Sequence, residues 1–380
     1  MTGSRGFSFG RVLAVMVKEI KQLTRDRLTY AMMIGLPIVQ LLLFGYAINS
    51  DPRQLPTAVL VQEDSVFARS ILGALDHSSY FDLVAQARSP AELDQMIRQG
   101  RVQFAVTIPG DFTRRVARGD KAQILVEADA TDPAATSGAV AALASLPAQA
   151  LVHDLKGALA ARGQAAPAFE VVVHRRYNPE AITAYNIVPG LLGVILSMTL
   201  VMMTSLSVTR ETERGTMESL LATPVQPLEV MAGKLAPYVV IGLVQTTIIL
   251  TLARFLFAVP MQGGWVGLAF GVSLFIVGSL ALGFLISTLA RSQLQAMQMS
   301  VFYILPSILL SGFMFPFRGM PVWAQGIGEA IPVTHFLRVV RGALLKGQGL
   351  GDTWRELAAL TAFVCVVTAL AMARYRRTLD

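Results

Sequence analysis

Residues 185–208 read YNIVPGLLGVILSMTLVMMTSLSV and carry no charge. A helix needs roughly 20 mostly apolar residues, at about 1.5 Å rise each, to cross about 30 Å of hydrocarbon. This stretch is long enough, and its Pro189 is read as opening the helix, where a missing N–H is tolerated. Working outward, five further blocks have the same character: Leu28–Ile48, Leu235–Phe257, Trp265–Ala290, Ala296–Phe315 and Leu357–Ala373. Arg254 lies near enough to the end of its block to snorkel. The first block exceeds the apolar core of a signal peptide and lacks a good cleavage site after it, so it reads as a retained anchor. The predicted fold class is a membrane all-α bundle of six transmembrane helices.

The composition agrees. Of 380 residues, 53% are hydrophobic and 15% charged, against about 25% charged in ordinary soluble domains. A simple soluble enzyme, a disordered chain and a collagen-like chain are excluded. With both termini cytoplasmic, the inside segments hold thirteen Lys and Arg residues, as the positive-inside rule requires. The loop containing Arg318, Arg338, Arg341, Lys346 and Arg355 disobeys the rule. The net charge of +7 calls for no nucleic-acid partner, because anionic inner-leaflet lipids attract juxtamembrane bases.

Between the first two spans, residues 49–184 have globular composition, with 13 basic and 15 acidic side chains. Strand-like pieces (Thr57–Gln62, Tyr80–Ala85, Val102–Ile108, Ala122–Glu127 and Glu170–His174) alternate with helix-like ones. The helical pieces are Ser65–Asp76, Ser89–Gln99 with Ser89 as N-cap and Pro90 first, Pro109–Ala117, and a long or broken helix over Pro133–Ala161. An inserted extracytoplasmic α/β domain follows, and its length lets it cross the membrane whatever its charge.

Sites of familiar chemistry are missing from the sequence. Gly233-Lys234 is followed by Leu235 where a phosphate loop needs Ser or Thr. His77, His153, His174 and His335 lie far apart and Cys365 stands alone, so no metal site is predicted. Apart from Arg254 the six blocks hold no ionisable residue, which argues against a secondary transporter. A chain of this kind borrows its energy, and the borrowing falls to the cytoplasmic surface.

There Arg210–Lys234 reads RETERGTMESLLATPVQPLEVMAGK. Glu211 with Arg214 and Arg214 with Glu218 pair at helical spacing, and Met217, Leu220 and Leu221 form an apolar stripe. Thr223-Pro224 ends the helix. Such a helix either rests on lipid or docks in a groove of a cytosolic partner. Near the N-terminus Phe9, Val12, Leu13, Met16, Ile20 and Leu23 share one face, with Arg11, Lys18, Glu19, Lys21 and Arg25 opposite or flanking, the pattern of an interfacial helix.

The 210–234 string, with its Arg-Glu-x-Glu-Arg-Gly-Thr-Met-Glu core and following Gly-Lys and Pro-Tyr, closely resembles the cytoplasmic loop of type-2 ABC exporter permeases. Ser311-Gly312-Phe313-Met314-Phe315-Pro316 with Met320-Pro321, and Pro332-x-Thr334-His335-Phe336 with Arg338 and Arg341, are similar to that family as well. The resemblance implies one protomer of a homodimer or heterodimer in a bacterial inner membrane. It also implies a separate ATP-binding cassette subunit that binds ATP and Mg, so that this chain itself holds no cofactor and is not an enzyme. Glu211, Glu213, Arg214, Gly215, Thr216, Met217, Glu218 and Leu221 would couple to that subunit, with the N-terminal helix bracing it.

The implied layout is an interfacial helix at 1–27, a first span at 28–48, the outside domain at 49–184, a five-helix region at 185–374 and a tail at 375–380. The five-helix region includes the coupling loop 209–234 and an outer re-entrant region 316–347. A periplasmic adaptor and membrane lipids are further partners that the resemblance suggests. In the re-entrant region Thr334 is read as a helix cap, and His335, Arg338 and Arg341 fall on one face at i, i+3, i+6. Arg338 and Arg341 either hold an outer gate or meet a lipid or anionic substrate group, or they snorkel to outer-leaflet phosphates.

Overall fold

The computed structural model describes residues 52–155, 167–213 and 227–377. The predicted span Leu28–Ile48, the interfacial residues Lys18, Glu19, Lys21 and Arg25, and the coupling residues Arg214, Gly215, Thr216, Met217, Glu218 and Leu221 lie outside them.

The sheet domain is built on β1 (Leu55–Val61), β2 (Phe81–Gln86), β3 (Phe104–Ile108), β4 (Ala122–Asp129) and β5 (Phe169–Arg176). Their order is β2-β1-β3-β4-β5. All neighbours run parallel except β3 and β4, which are antiparallel. Alternation along each strand sorts its residues between two faces. Phe104, Val106 and Ile108 join a core with Leu55, Phe81 and Phe112, while Ala105 joins Ala58, Leu60, Leu93 and Ile97 on the other face. The second face is covered by α2 (Pro90–Arg98), and the first by α1 (Val66–His77), α3 (Phe112–Arg118), α4 (Pro133–Leu143) and α5 (Leu146–Gln149).

Caps explain where these helices start. Ser65 accepts from the Ala68 N–H at 3.0 Å, and Ser89 accepts from Glu92 N–H at 3.2 Å with Pro90 following, each satisfying an otherwise orphaned donor. The Ala-rich stretch predicted as a long or broken helix is broken: α4 ends at Leu143, and Pro147 falls in the first turn of α5.

The membrane part follows as α6 (Thr183–Glu213), α7 (Pro227–Phe255), α8 (Trp265–Leu289), α9 (Gln293–Leu310), α10 (Val322–Glu329), α11 (Pro332–Arg341) and α12 (Leu350–Arg377). A short 3-10 turn at Phe317–Gly319 precedes α10, and a π-helical segment at Gly342–Lys346 continues α11. Among the described residues, α6, α7, α8, α9 and α12 are the five helices long and apolar enough to cross a membrane.

Several boundaries differ from expectation. Pro189 lies in the second turn of α6 rather than at its opening. The fifth span stops at Leu310, because Gly312 takes a left-handed φ of 80° and turns the chain. The last helix starts at Leu350 rather than Leu357, so it carries Asp352, Arg355 and Glu356 in its opening turns. These three precede the block Leu357–Ala373, which itself carries no charge.

Close helix contacts hold the bundle. A side-chain carbon on Gly283 of α8 would stand 2.7 Å from the Val201 carbonyl oxygen of α6, so only glycine permits that approach. Ser205 and Ser300 share a hydrogen bond at 2.9 Å between α6 and α9. The rings of Phe275 on α8 and Phe336 on α11 stack with centroids 4.1 Å apart, which seats the short helix against the spans.

Candidate functional site

Charge collects where α11, its π segment and the head of α12 meet the sheet domain. His335, on the buried side of α11, presents Nδ1 to Glu356 Oε2 at 2.5 Å and Nε2 to the Glu329 carbonyl at 2.8 Å. Both partners are acceptors, so the imidazolium, with two N–H groups, satisfies both. Burial works against that charge, but the bonds to Glu356 and the Glu329 carbonyl outweigh it and hold the His335 pKa above its ordinary value. Arg338 grips Glu329 with both terminal nitrogens, at 2.6 and 3.0 Å, and reaches Glu356 at 3.5 Å. Its guanidinium also lies 4.7 Å from the Phe317 ring centroid. Two cations and two carboxylates thus close on one another at the lip of the bundle.

Arg341 behaves otherwise. It lines the same cavity as Arg338, but it stays out of the His335–Arg338 cluster and donates from Nη1 to the Gly312 carbonyl at 3.1 Å. Thr334 is not the predicted cap: α11 opens at Pro332, and the Thr334 hydroxyl donates to the Gly328 carbonyl at 2.7 Å, tying α11 to α10.

The domain is fastened to this region by groups far apart in sequence. Lys346, at the end of the π segment, forms an ion pair with Asp129 of β4, with side chains only 9% and 8% exposed. Gln348 donates to the Arg98 carbonyl, Gln99 to Asp352 at 3.4 Å, and Asn186 of α6 to Asp132 at 3.4 Å. At the domain's foot Arg176 pairs with Asp94 and, at 2.8 Å, with Glu127. The Arg176 bond holds the Asp94 carboxyl below its usual range despite partial burial. Buried Asn178 bonds both backbone groups of Ile182, at 2.8 and 3.0 Å, fixing the passage from β5 into α6.

Glu329, Glu356, Asp129, Asp132 and Lys346 were missed as site residues. The one signal available was the basic loop that broke the charge rule. Three of its bases are compensated or restrained: Arg338 by Glu329 and Glu356, Lys346 by Asp129, and Arg355 by the Trp354 ring at 5.7 Å.

On the opposite side of the bundle, Glu213 ends α6 and receives the Gln293 backbone N–H at 2.7 Å and side-chain amide at 2.6 Å. It therefore caps the start of α9. Glu211 lies on the same last turn. Of the eight predicted coupling residues, these two are described.

A family model for the "ABC-2 family transporter protein" matches residues 27–373. The chain is 32% identical over 347 residues to "Probable multidrug ABC transporter permease YbhS" of Escherichia coli, covering 90% of each chain. It is 27% identical to the same organism's "Probable multidrug ABC transporter permease YbhR", covering 97% of this chain and 99% of that protein. To "Inner membrane transport permease YhhJ" of E. coli it is 26% identical, covering 96% of both.

Proposed function

The chain belongs to the ABC-2 family of transporter proteins, and from that premise we propose that it is the membrane-spanning subunit of an ATP-driven exporter. It moves an amphiphilic or hydrophobic compound outward. A separate ATP-binding cassette subunit holds ATP and Mg and hydrolyses the nucleotide, while this chain pairs with a second copy or a homologous permease. Both termini face the cytoplasm of a bacterial inner membrane. The domain around residues 52–176 lies outside, inserted between a first span at 28–48 and the five helices that follow.

The observation that carries this reading is the continuity of α6. It runs unbroken from the Asn178–Ile182 clamp beneath the outside domain to Glu213. At roughly 1.5 Å per residue its 31 residues extend about 46 Å, well beyond the hydrocarbon thickness of about 30 Å. A movement imposed by an ATPase on the 209–234 loop reaches the outer face through one rigid element, and through Glu213 it also reaches α9. In this reading Glu211, Glu213, Arg214, Gly215, Thr216, Met217, Glu218 and Leu221 contact the ATPase. Lys18, Glu19, Lys21 and Arg25 lie on a bracing helix. His335 and Arg338, neutralised by Glu329 and Glu356, hold the outer gate shut.

Reconstitution with the ATP-binding subunit tests the proposal. ATP-dependent outward flux of an amphiphilic dye is expected, and Arg214→Ala combined with Glu218→Ala abolishes it without lowering protein level. Flux driven by an ion gradient without ATP would overturn the reading. ATP turnover without any flux would replace it with mechanotransmission to a periplasmic partner.

A further inference from the structure

A cavity of about 510 Å³ separates the sheet domain from the bundle, and Arg341 lines it with one edge of its guanidinium committed and the other bare. Nη1 is held by the Gly312 carbonyl. Nε and Nη2 are shielded from solvent and have no hydrogen-bond partner among the described residues. Those two atoms form the side edge of the guanidinium, the fork that takes an oxyanion in two parallel N–H···O bonds. A buried donor without a partner is costly, more so when it is charged, and arginine cannot escape by losing its proton.

Nearby carboxylates do not fill the fork. Asp129 is engaged by Lys346 and by the backbone N–H and hydroxyl of Thr131. Asp132 caps α4 by accepting from the Ala134 N–H at 3.2 Å and also meets Asn186, and it makes no ion pair among the described residues. Burial pushes the Asp132 carboxyl above its usual range, which weakens one of the two carboxylates, Asp132 and Asp129, whose charge reaches Arg341. Glu329 and Glu356 in the same wall are engaged by Arg338, while Arg101 and Arg318 line the cavity and add positive charge against the remaining carboxylate, Asp352. Ser311 and Asp352, also in its wall, mark the ends of α9 and α12. The cavity is therefore level with the outer ends of spans, where lipid headgroups lie.

We propose that this cavity binds a phosphate group, held bidentately on the Nε–Nη2 edge of Arg341, with the outside domain as its roof. The site stands on the cavity and the fork alone, and it holds whether or not the chain exports a cargo. Its test accordingly needs neither ATPase nor substrate.

The full-length protein, purified in an uncharged maltoside detergent, is titrated calorimetrically with inorganic phosphate and, separately, with dihexanoyl phosphatidic acid below its micelle concentration. Saturable binding of at least one probe is expected, weakened tenfold or more by Arg341→Gln and severalfold by Arg341→Lys, which keeps the charge and loses the fork. Asp132→Asn keeps the cap on α4 and removes the opposing charge, so it tightens binding severalfold. This variant keeps the test decisive should Arg341→Gln fail to fold. Binding of phosphatidic acid alone supports the site with the membrane as its source, and binding of inorganic phosphate supports it with a soluble source. No saturable binding of either probe, or affinities unchanged in both Arg341→Gln and Asp132→Asn, would overturn the proposal.

Discussion

Arg338 and Arg341 sit one turn apart on α11 and line one cavity, yet the two sides of that cavity meet their charges in opposite ways. At the lip of the bundle, His335 and Arg338 find Glu329 and Glu356 within the membrane part itself, at separations of 6 to 21 residues. At the junction with the sheet domain, Lys346 finds Asp129 across 217 residues, and Arg341 keeps two of its three guanidinium nitrogens unmatched among the described residues. The lip can form as soon as α10, α11 and α12 come together. The junction exists only when the sheet domain is seated. Local pairing makes a latch intrinsic to the bundle, whereas distant pairing makes a sensor of whether two bodies are docked.

The largest expected effect tests the distant pair. Lys346→Ala leaves Asp129 buried without its cation and should cost about 3–5 kcal/mol, read as a lowered thermal midpoint of the full chain in detergent. The double variant Lys346→Met with Asp129→Asn recovers more than half of that loss if the two groups act as a pair. Strictly additive losses would show that they do not.

A smaller effect belongs to the local cluster. Glu356→Gln removes the partner that His335 and Arg338 share, while Glu329 still holds Arg338, so a loss of about 2 kcal/mol is expected. Proteolysis of the sheet domain should stay unchanged in this variant and quicken in Lys346→Ala, which separates latch from sensor. Equal proteolysis in both would erase the distinction.

The smallest effect is a pH dependence confined to the lip. The groups facing His335 are Glu356, the Glu329 carbonyl and carboxylate, and Arg338. Its pKa is raised in the folded protein, so its stabilisation is fully present below the ordinary value of 6.5 and is lost as pH rises through the folded-state value. The midpoint gap between the wild-type protein and His335→Gln should therefore shrink between pH 5 and 9, by about 1 kcal/mol. A gap that widened with pH would show that the imidazolium is not the bound form.

The contrast also explains what could be read from the chain. The sheet was legible because β-branched alternation and the Ser65 and Ser89 caps are local signals, and the predicted strand and helix starts fall close to those observed. Apolar length located the five described spans equally well. The start of α12 was misjudged because a hydropathy window treats Asp352, Arg355 and Glu356 as loop. These side chains instead line a protein cavity, where charge is tolerated beside its partners. Thr334 has the chemistry of a cap, but Pro332 opens the helix earlier and Thr334 is spent on α10. No local pattern distinguishes Arg338 from Arg341, since what separates them is a carboxylate 9 residues back for one and a docked domain for the other.

The π-helical turn at Gly342–Lys346 makes this junction sensitive to the number of residues rather than to their kind. A wide turn houses one more residue than an α turn of the same height. Each residue of an α-helix advances roughly 100° around the axis, so shortening this segment by one would swing Lys346 about a quarter turn away from Asp129 while leaving every side chain in place. Loops at protein surfaces ordinarily absorb insertions and deletions. Here a single deletion would resemble a phase error in a gear, and chain length across 342–346 is as much a determinant of docking as the lysine it delivers.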